Sequence, residues 1–185
     1  MVQKLDHRRE TPSQTAGPYV HIGCTPTHAG IDGVFQELGT DPFPGEAGRI
    51  TITGRVIDGF ETAIADPMIE TWQAGPDGTY GPGTRGWARV VVDPETGIWT
   101  LNTVKPGATG DQAPHIALWI VARGINLGLQ TRIYFPEDDQ SRDPVLCRVE
   151  HPHRAQTLIA KATGAGAYAF DIVLQGETET LFLDI

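Results

Sequence analysis

Eight short runs rich in β-branched and aromatic residues constrain the fold of this chain more than any other feature. They are "GRITITGRVID" (48–58), "MIETWQA" (68–74), "ARVVVD" (88–93), "IWTLNTV" (98–104), "HIALWIVAR" (115–123), "TRIYF" (131–135), "AYAFDIVLQ" (167–175) and "TLFLDI" (180–185). Turn chemistry separates them, in "GPDGTYGPGTRG", "DPETG", "KPGATGD" and "KATGAG", with no apolar pattern of helical period in between. Strands spaced this way, without crossover helices, predict an all-β fold: an antiparallel β-sandwich. The 22 Gly and 14 Pro agree with a fold of many turns. At 185 residues the chain suits one domain, which buries roughly 70% of the surface its unfolded form exposes. We expect a single domain over 1–185, with an amino-terminal arm (1–47) and a sandwich core (48–185).

Helix is expected only in "GIDGVFQEL" (30–38), while "QTLIAK" (156–161) is ambiguous between a helical turn and strand. The first forty residues and the 136–157 stretch read as irregular ordered arms, and "GAG" (164–166) as a hairpin turn rather than a nucleotide loop.

A formal charge of −9 with no basic run argues against nucleic acid, whose phosphates demand clustered Lys and Arg. The amino terminus shows no apolar signal region, and no segment approaches about 18 consecutive apolar residues, so a cytoplasmic location is expected. Cys24 and Cys147 make neither a disulfide framework nor a zinc pattern, and both are expected to be buried free thiols.

The segment "QAPHIALW" (112–119) carries the first chemical question. Alternation along a strand puts Ile116, Leu118 and Ile120 on one face and His115, Ala117 and Trp119 on the other. A second imidazole at position 117 would stand about 6–7 Å from the first, close enough for two rings to share one ion. Alanine cannot do that, so the alternation alone leaves open whether His115 is half of a metal site or the remnant of one.

Other strings are less generic. "TPSQTAGPYVHIG" (11–23) is an uncharged, Pro-punctuated arm, expected as a strand-like strap. Taken with "GRVID" (54–58), "ETWQAGPDGTYG" (70–81), "TVKPG" (103–107), "PHIALWIVARGINLGLQTRIYF" (114–135) and "TETLFLDI" (178–185), it resembles the intradiol ring-cleaving dioxygenases, and among them the α chains of the protocatechuate-cleaving enzymes. The order and spacing of these motifs cover nearly the whole chain.

The resemblance implies a transthyretin-like sandwich core, and in catalytic members an Fe(III) held by two tyrosinates and two imidazoles. Here Thr109 stands where one tyrosine belongs, Ala117 replaces one histidine of the His-x-His pair, and Gln112 takes the place of an arginine. The second tyrosine lies in an insertion this chain lacks, since Tyr80 belongs to the "DGTY" turn. His115 alone remains, so no metal is expected on this chain and the four positions read as vestigial. The resemblance further implies a homologous β subunit that bears the Fe(III), paired with this chain in a heterodimer and a higher oligomer. Protocatechuate and O₂ would then be converted at the β iron to 3-carboxy-cis,cis-muconate. Matching the α-chain positions that approach that pocket gives Thr15, Tyr19 and Arg132 as substrate-binding residues.

Two rival readings stay open. One is a catalytic dioxygenase with relocated ligands, using His151 and His153 of "EHPHRA" with Tyr134; Pro152 between the two histidines suggests a solvated loop instead. The other is a non-enzymatic β-sandwich binding module.

Overall fold

A computed structural model describes residues 14–17, 19–33 and 40–184. Two four-stranded sheets face each other. One contains β1 (Arg49–Gly54), β5 (Trp99–Val104), β8 (Lys161–Gly164) and β9 (Ala167–Ala169), in the order β5-β1-β9-β8. The other contains β3 (Met68–Gln73), β4 (Trp87–Val91), β6 (His115–Val121) and β7 (Leu129–Tyr134), in the order β4-β3-β6-β7. A two-stranded ribbon pairs β2 (Val56–Ile57) with β10 (Ile172–Val173).

Period-two alternation builds the core. Ile52 and Leu101 from one sheet meet Ile69, Ile116, Ile120 and Ile133 from the other, all fully buried. Fully burying one such side chain is worth roughly 1.5–3 kcal/mol. The inner layer also holds Gln73, fully satisfied: its amide donates to Val104 O at 2.9 Å and its carbonyl accepts from Thr103 Oγ1 at 2.8 Å, tying the two sheets together. Gly54 is required where β1 crosses Phe170, because a Cβ there would lie 1.8 Å from the Phe170 carbonyl oxygen.

The sheets are mostly antiparallel, as expected, yet β1 pairs with β9 and β2 with β10 in parallel. Local patterning carries no sign of this, because parallel partners come from opposite ends of the chain. "KATGAG" is not all turn: Lys161–Gly164 form β8, a fully exposed edge strand, and only the Gly164–Gly166 bend turns the hairpin. "TLFLDI" is not a strand. Thr180 N bonds Val173 O while Leu183 N bonds Gln130 O, so its backbone is shared between two elements and joins no ladder.

The "QTL" part of 156–161 is a 3-10 turn. The arm is helical at α1 (Tyr19–Cys24) rather than a strand-like strap. Pro152 opens the short α2 (Pro152–Ala155), where its missing N–H costs nothing, so "EHPHRA" is not a loop. The helix expected over 30–38 falls largely on 34–38, outside the described residues. The cysteines depart from expectation. Cys24 is half-buried at the end of α1, and Cys147 is exposed in the 3-10 turn Leu146–Arg148; both are free.

Candidate functional site

The outer face of the β4-β3-β6-β7 sheet is a grid fixed by strand register. One row runs Trp87, Trp72, Ala117, Arg132; the next runs Arg89, Glu70, Trp119, Gln130; and on the other side of Ala117, His115 stands opposite Tyr134. Each follows from alternation, since the neighbours of core residues in sequence must point outward.

The rows differ in cover. The segment after β7 lays Leu158, Leu146 and Ile159 against Tyr134, which leaves His115 5% exposed. Away from that end, Trp72 and Trp119 are 37% and 38% exposed. Tyr80 stacks on Trp72 at 5.6 Å between centroids. The small Ala117 side chain leaves a cleft of about 230 Å³ among Trp72, Trp87 and Trp119.

At the covered end lies a polar network. Arg132 Nη1 donates to Gln112 Oε1 at 2.8 Å and to Tyr134 Oη at 3.3 Å. Tyr134 Oη in turn donates to Asp143 Oδ1 at 3.2 Å. Burial pushes the Tyr134 hydroxyl up to about 12, even though Arg132 pulls the other way, so it stays protonated and able to donate. Asp143, 1% exposed, is the hub: Oδ1 also accepts from Val145 N and Leu146 N, and Oδ2 from Ala113 N at 2.9 Å. Arg132 Nε is buried and has no partner among the described residues.

His115 Nδ1 lies 2.8 Å from Ala113 O. A carbonyl oxygen can only accept, so Nδ1 carries the proton. Burial holds the His115 pKa below its usual value, with the Arg132 charge adding to the effect, while the Ala113 carbonyl and Asp143 oppose it. The ring is neutral near pH 7 and packs against Tyr134 at 5.7 Å.

The matched iron positions can now be tested for fit. Thr109 spends its hydroxyl on Gly78 O at 2.9 Å, where the "KPGAT" loop crosses the "GPDG" turn. Gly78 permits that crossing, since a Cβ would lie 2.0 Å from Ala108 O. Ala117 offers a methyl group, and Gln112 an amide already engaged by Arg132. One imidazole with these neighbours does not fit a ferric ion, which takes several convergent hard or borderline ligands. Among the described residues, no group of three or more His, Cys, Asp or Glu is placed to hold a metal. His151 and His153 stack at 5.8 Å on the surface, whereas the Tyr134 hydroxyl is engaged by Asp143 and Arg132.

Register brings Arg132, Gln112, His115 and Ala117 together and leaves the arm residues apart. Thr15 Oγ1 donates to Ala122 O at 3.1 Å and accepts from Gly124 N at 2.6 Å, pinning the arm beyond the far end of β6. Ala122 is five residues along from Ala117, roughly 17 Å away. Tyr19 opens α1 with its side chain 81% exposed. Between the arm and the sheet lies a cleft of about 510 Å³, walled by Thr15, Val20, Cys24, Met68, Trp119 and Val121. The sequence reading missed Asp143 as the organiser, although "DP" at 143–144 is a turn-initiating pair and an Asp there is placed to accept from the backbone N–H groups of the turn that follows.

The architecture is found in known proteins. The chain is similar to the dioxygenase domain of a dioxygenase carbohydrate-binding protein fusion from Streptomyces sp. SirexAA-E, with a TM-score of 0.59 at 20% identity, covering 92% of this chain and 100% of that one. It is also similar to an intradiol ring-cleavage dioxygenase from Tetranychus urticae, with a TM-score of 0.62 at 15% identity, covering 76% and 87%. The fold is that of the intradiol dioxygenases, a class of non-haem iron enzymes.

Sequence relatives narrow the class. A protocatechuate 3,4-dioxygenase alpha chain from Pseudomonas putida is 42% identical over 195 aligned positions, covering 95% of this chain and 96% of the relative. The alpha chain of the same name from Burkholderia cepacia is 34% identical, covering 96% and 98%. A Burkholderia cepacia beta chain is 28% identical over 157 positions, covering 71% and 66%. No family model matches. The chain belongs to the protocatechuate 3,4-dioxygenase alpha-chain family. The alpha and beta names denote chains of a heteromeric complex.

Proposed function

We propose that this chain is the iron-free subunit of a dioxygenase that cleaves protocatechuate with O₂ to 3-carboxy-cis,cis-muconate, the Fe(III) being held by a homologous β-type chain. One observation carries the reading. At the matched iron positions the donor set is unfit for the metal, yet the same sheet face holds a guanidinium fixed through Nη1 by Gln112 and Tyr134. The ring oxidation belongs to the partner. This chain's share is binding, orientation and exclusion of water.

Arg132 fits the substrate's ring carboxylate. Its Nη1 is occupied and its Nε is buried, which leaves Nη2 as the donor that an incoming carboxylate can reach through a charge-assisted hydrogen bond. Fixed positive charge also favours an anion near an otherwise acidic protein of net charge −9. Thr15 fixes the arm and keeps a lone pair free to accept, while Tyr19 offers an aromatic wall with a polar tip. Their distance from Arg132 along the sheet means that arm and guanidinium meet the partner's pocket from different sides. We take the chain as one domain with an amino-terminal arm, 1–47, of which Thr15 and Tyr19 face the partner.

The test is reconstitution with an iron-bearing β-type chain. Arg132→Ala is expected to keep the iron content and to lose roughly tenfold to hundredfold in kcat/KM for protocatechuate, the worth of a charge-assisted contact of about 1.5–3 kcal/mol. Catechol, which lacks the carboxylate, should lose far less. Equal losses for both substrates, or stoichiometric iron on this chain alone, would refute the proposal.

A further inference from the structure

We infer that Gln112 is a positioning residue for carboxylate recognition, acting only through Arg132. The inference rests on the reading that Arg132 binds the substrate carboxylate, and it adds a second residue to that specificity. The guanidinium has five donors on a long flexible stem and needs to be held in one orientation to read a planar carboxylate. Here the hold is one-sided. Gln112 Oε1 and Tyr134 Oη both engage Nη1, and Tyr134 is itself fixed by its bond to Asp143. Nε is buried and has no hydrogen-bond partner among the described residues. Held through Nη1, the guanidinium presents Nη2 in one orientation to an acceptor arriving from outside the chain.

Gln112 and Tyr134 have unequal scope for this role. The Tyr134 hydroxyl carries one proton, donated to Asp143, and accepts from Arg132 at the longer distance of 3.3 Å. Gln112 holds the shorter bond at 2.8 Å. It is placed by the narrow turn in which Thr109 and Gln112 exchange backbone hydrogen bonds. An acceptor is required at 112. A cationic side chain there would face the Arg132 guanidinium with like charge and no lone pair, and would release the arm from its orientation.

The experiment is a double-mutant cycle on the reconstituted complex, with kcat and KM measured for protocatechuate and for catechol. Gln112→Ala is expected to raise KM for protocatechuate about threefold to tenfold, with kcat and the catechol parameters near wild type. In an Arg132→Ala background, Gln112→Ala should add nothing, because its effect passes through the guanidinium. Gln112→Arg should lose at least as much as Gln112→Ala. A neutral Gln112→Ala, an equal loss for both substrates, or a full additional loss in the Arg132→Ala background would overturn the inference while leaving Arg132 in its role. If Arg132→Ala itself fails to discriminate the two substrates, the carboxylate reading falls and this inference falls with it.

Discussion

Replacing Asp143 by asparagine changes a side chain's charge and one hydrogen-bonding atom while keeping its shape, and the structure predicts a substantial cost. Four donors converge on this carboxylate: Ala113 N on Oδ2, and Val145 N, Leu146 N and Tyr134 Oη on Oδ1. An asparagine brings an NH₂ group in place of one oxygen, so at least one donor then faces another donor. If the amide nitrogen takes the Oδ2 position, Ala113 N loses its acceptor in a residue 6% exposed; if it takes the Oδ1 position, three donors lose theirs. The first arrangement is the cheaper and costs about 1–3 kcal/mol. Asp143→Ala removes all four bonds, including those to Val145 N and Leu146 N where the chain enters the Leu146–Arg148 turn. Two buried groups at about 1–3 kcal/mol each, plus about 0.5–2 kcal/mol for the bonds at the turn entry, are partly offset by no longer burying a charge. The net is roughly 3 kcal/mol, or a Tm lowered by roughly 6–12 °C in a chain of this size. Urea unfolding followed by tryptophan fluorescence measures both variants. Asp143→Asn within about 0.5 kcal/mol of wild type would refute the reasoning, because it would show that packing alone, and not the donor count, fixes this segment.

Gly54→Ala should destabilise by about 2 kcal/mol or more, since its Cβ meets the backbone oxygen of Phe170 at 1.8 Å, and chemical denaturation should show it in the midpoint. His115, whose pKa burial depresses in the folded chain, binds its proton more readily when unfolded. Its contribution to stability is therefore present above the unfolded value near 6.5 and is lost as pH falls through the lower folded value. Between pH 7 and 5 the urea midpoint of wild type should fall more than that of His115→Gln, and parallel curves would count against a buried neutral ring.

Strand existence and facing were legible because they depend on local alternation. Ile116, Leu118 and Ile120 are core, and Ala117 and Trp119 face outward, as a period of two demands. What escaped depends on contacts distant in sequence. The parallel partnership of β1 with β9 joins Thr51 to Ala167, and nothing local to either residue announces the other. The 180–185 run has strand composition, yet its backbone bonds go to Val173 and Gln130 in different elements, which no pattern within six residues can report. Likewise the resemblance gave Thr15, Tyr19 and Arg132 as one group, whereas the sheet holds Thr15 and Arg132 near opposite ends of the same pair of strands.

The vestigial positions acquire a different meaning once register is taken into account. Ala117 is the cross-strand neighbour of Arg132, so the side chain at 117 decides how much room the guanidinium stem has. Gln112 is its hydrogen-bond acceptor, and His115 stands two residues from Ala117 on the same face, neutral, where an imidazolium would repel the guanidinium. Gln112, Ala117 and His115 are thus in contact with, or electrostatically coupled to, one arginine. Restoring an imidazole at 117 would place it against the Arg132 stem and give it only His115 as a fellow ligand. A cation beside the ion adds like-charge repulsion, so recovering iron on this chain calls for ligands beyond a second imidazole. In this chain a metal site and a fixed guanidinium compete for the same few square ångströms of sheet, and the residues present at 112, 115 and 117 are those compatible with the guanidinium.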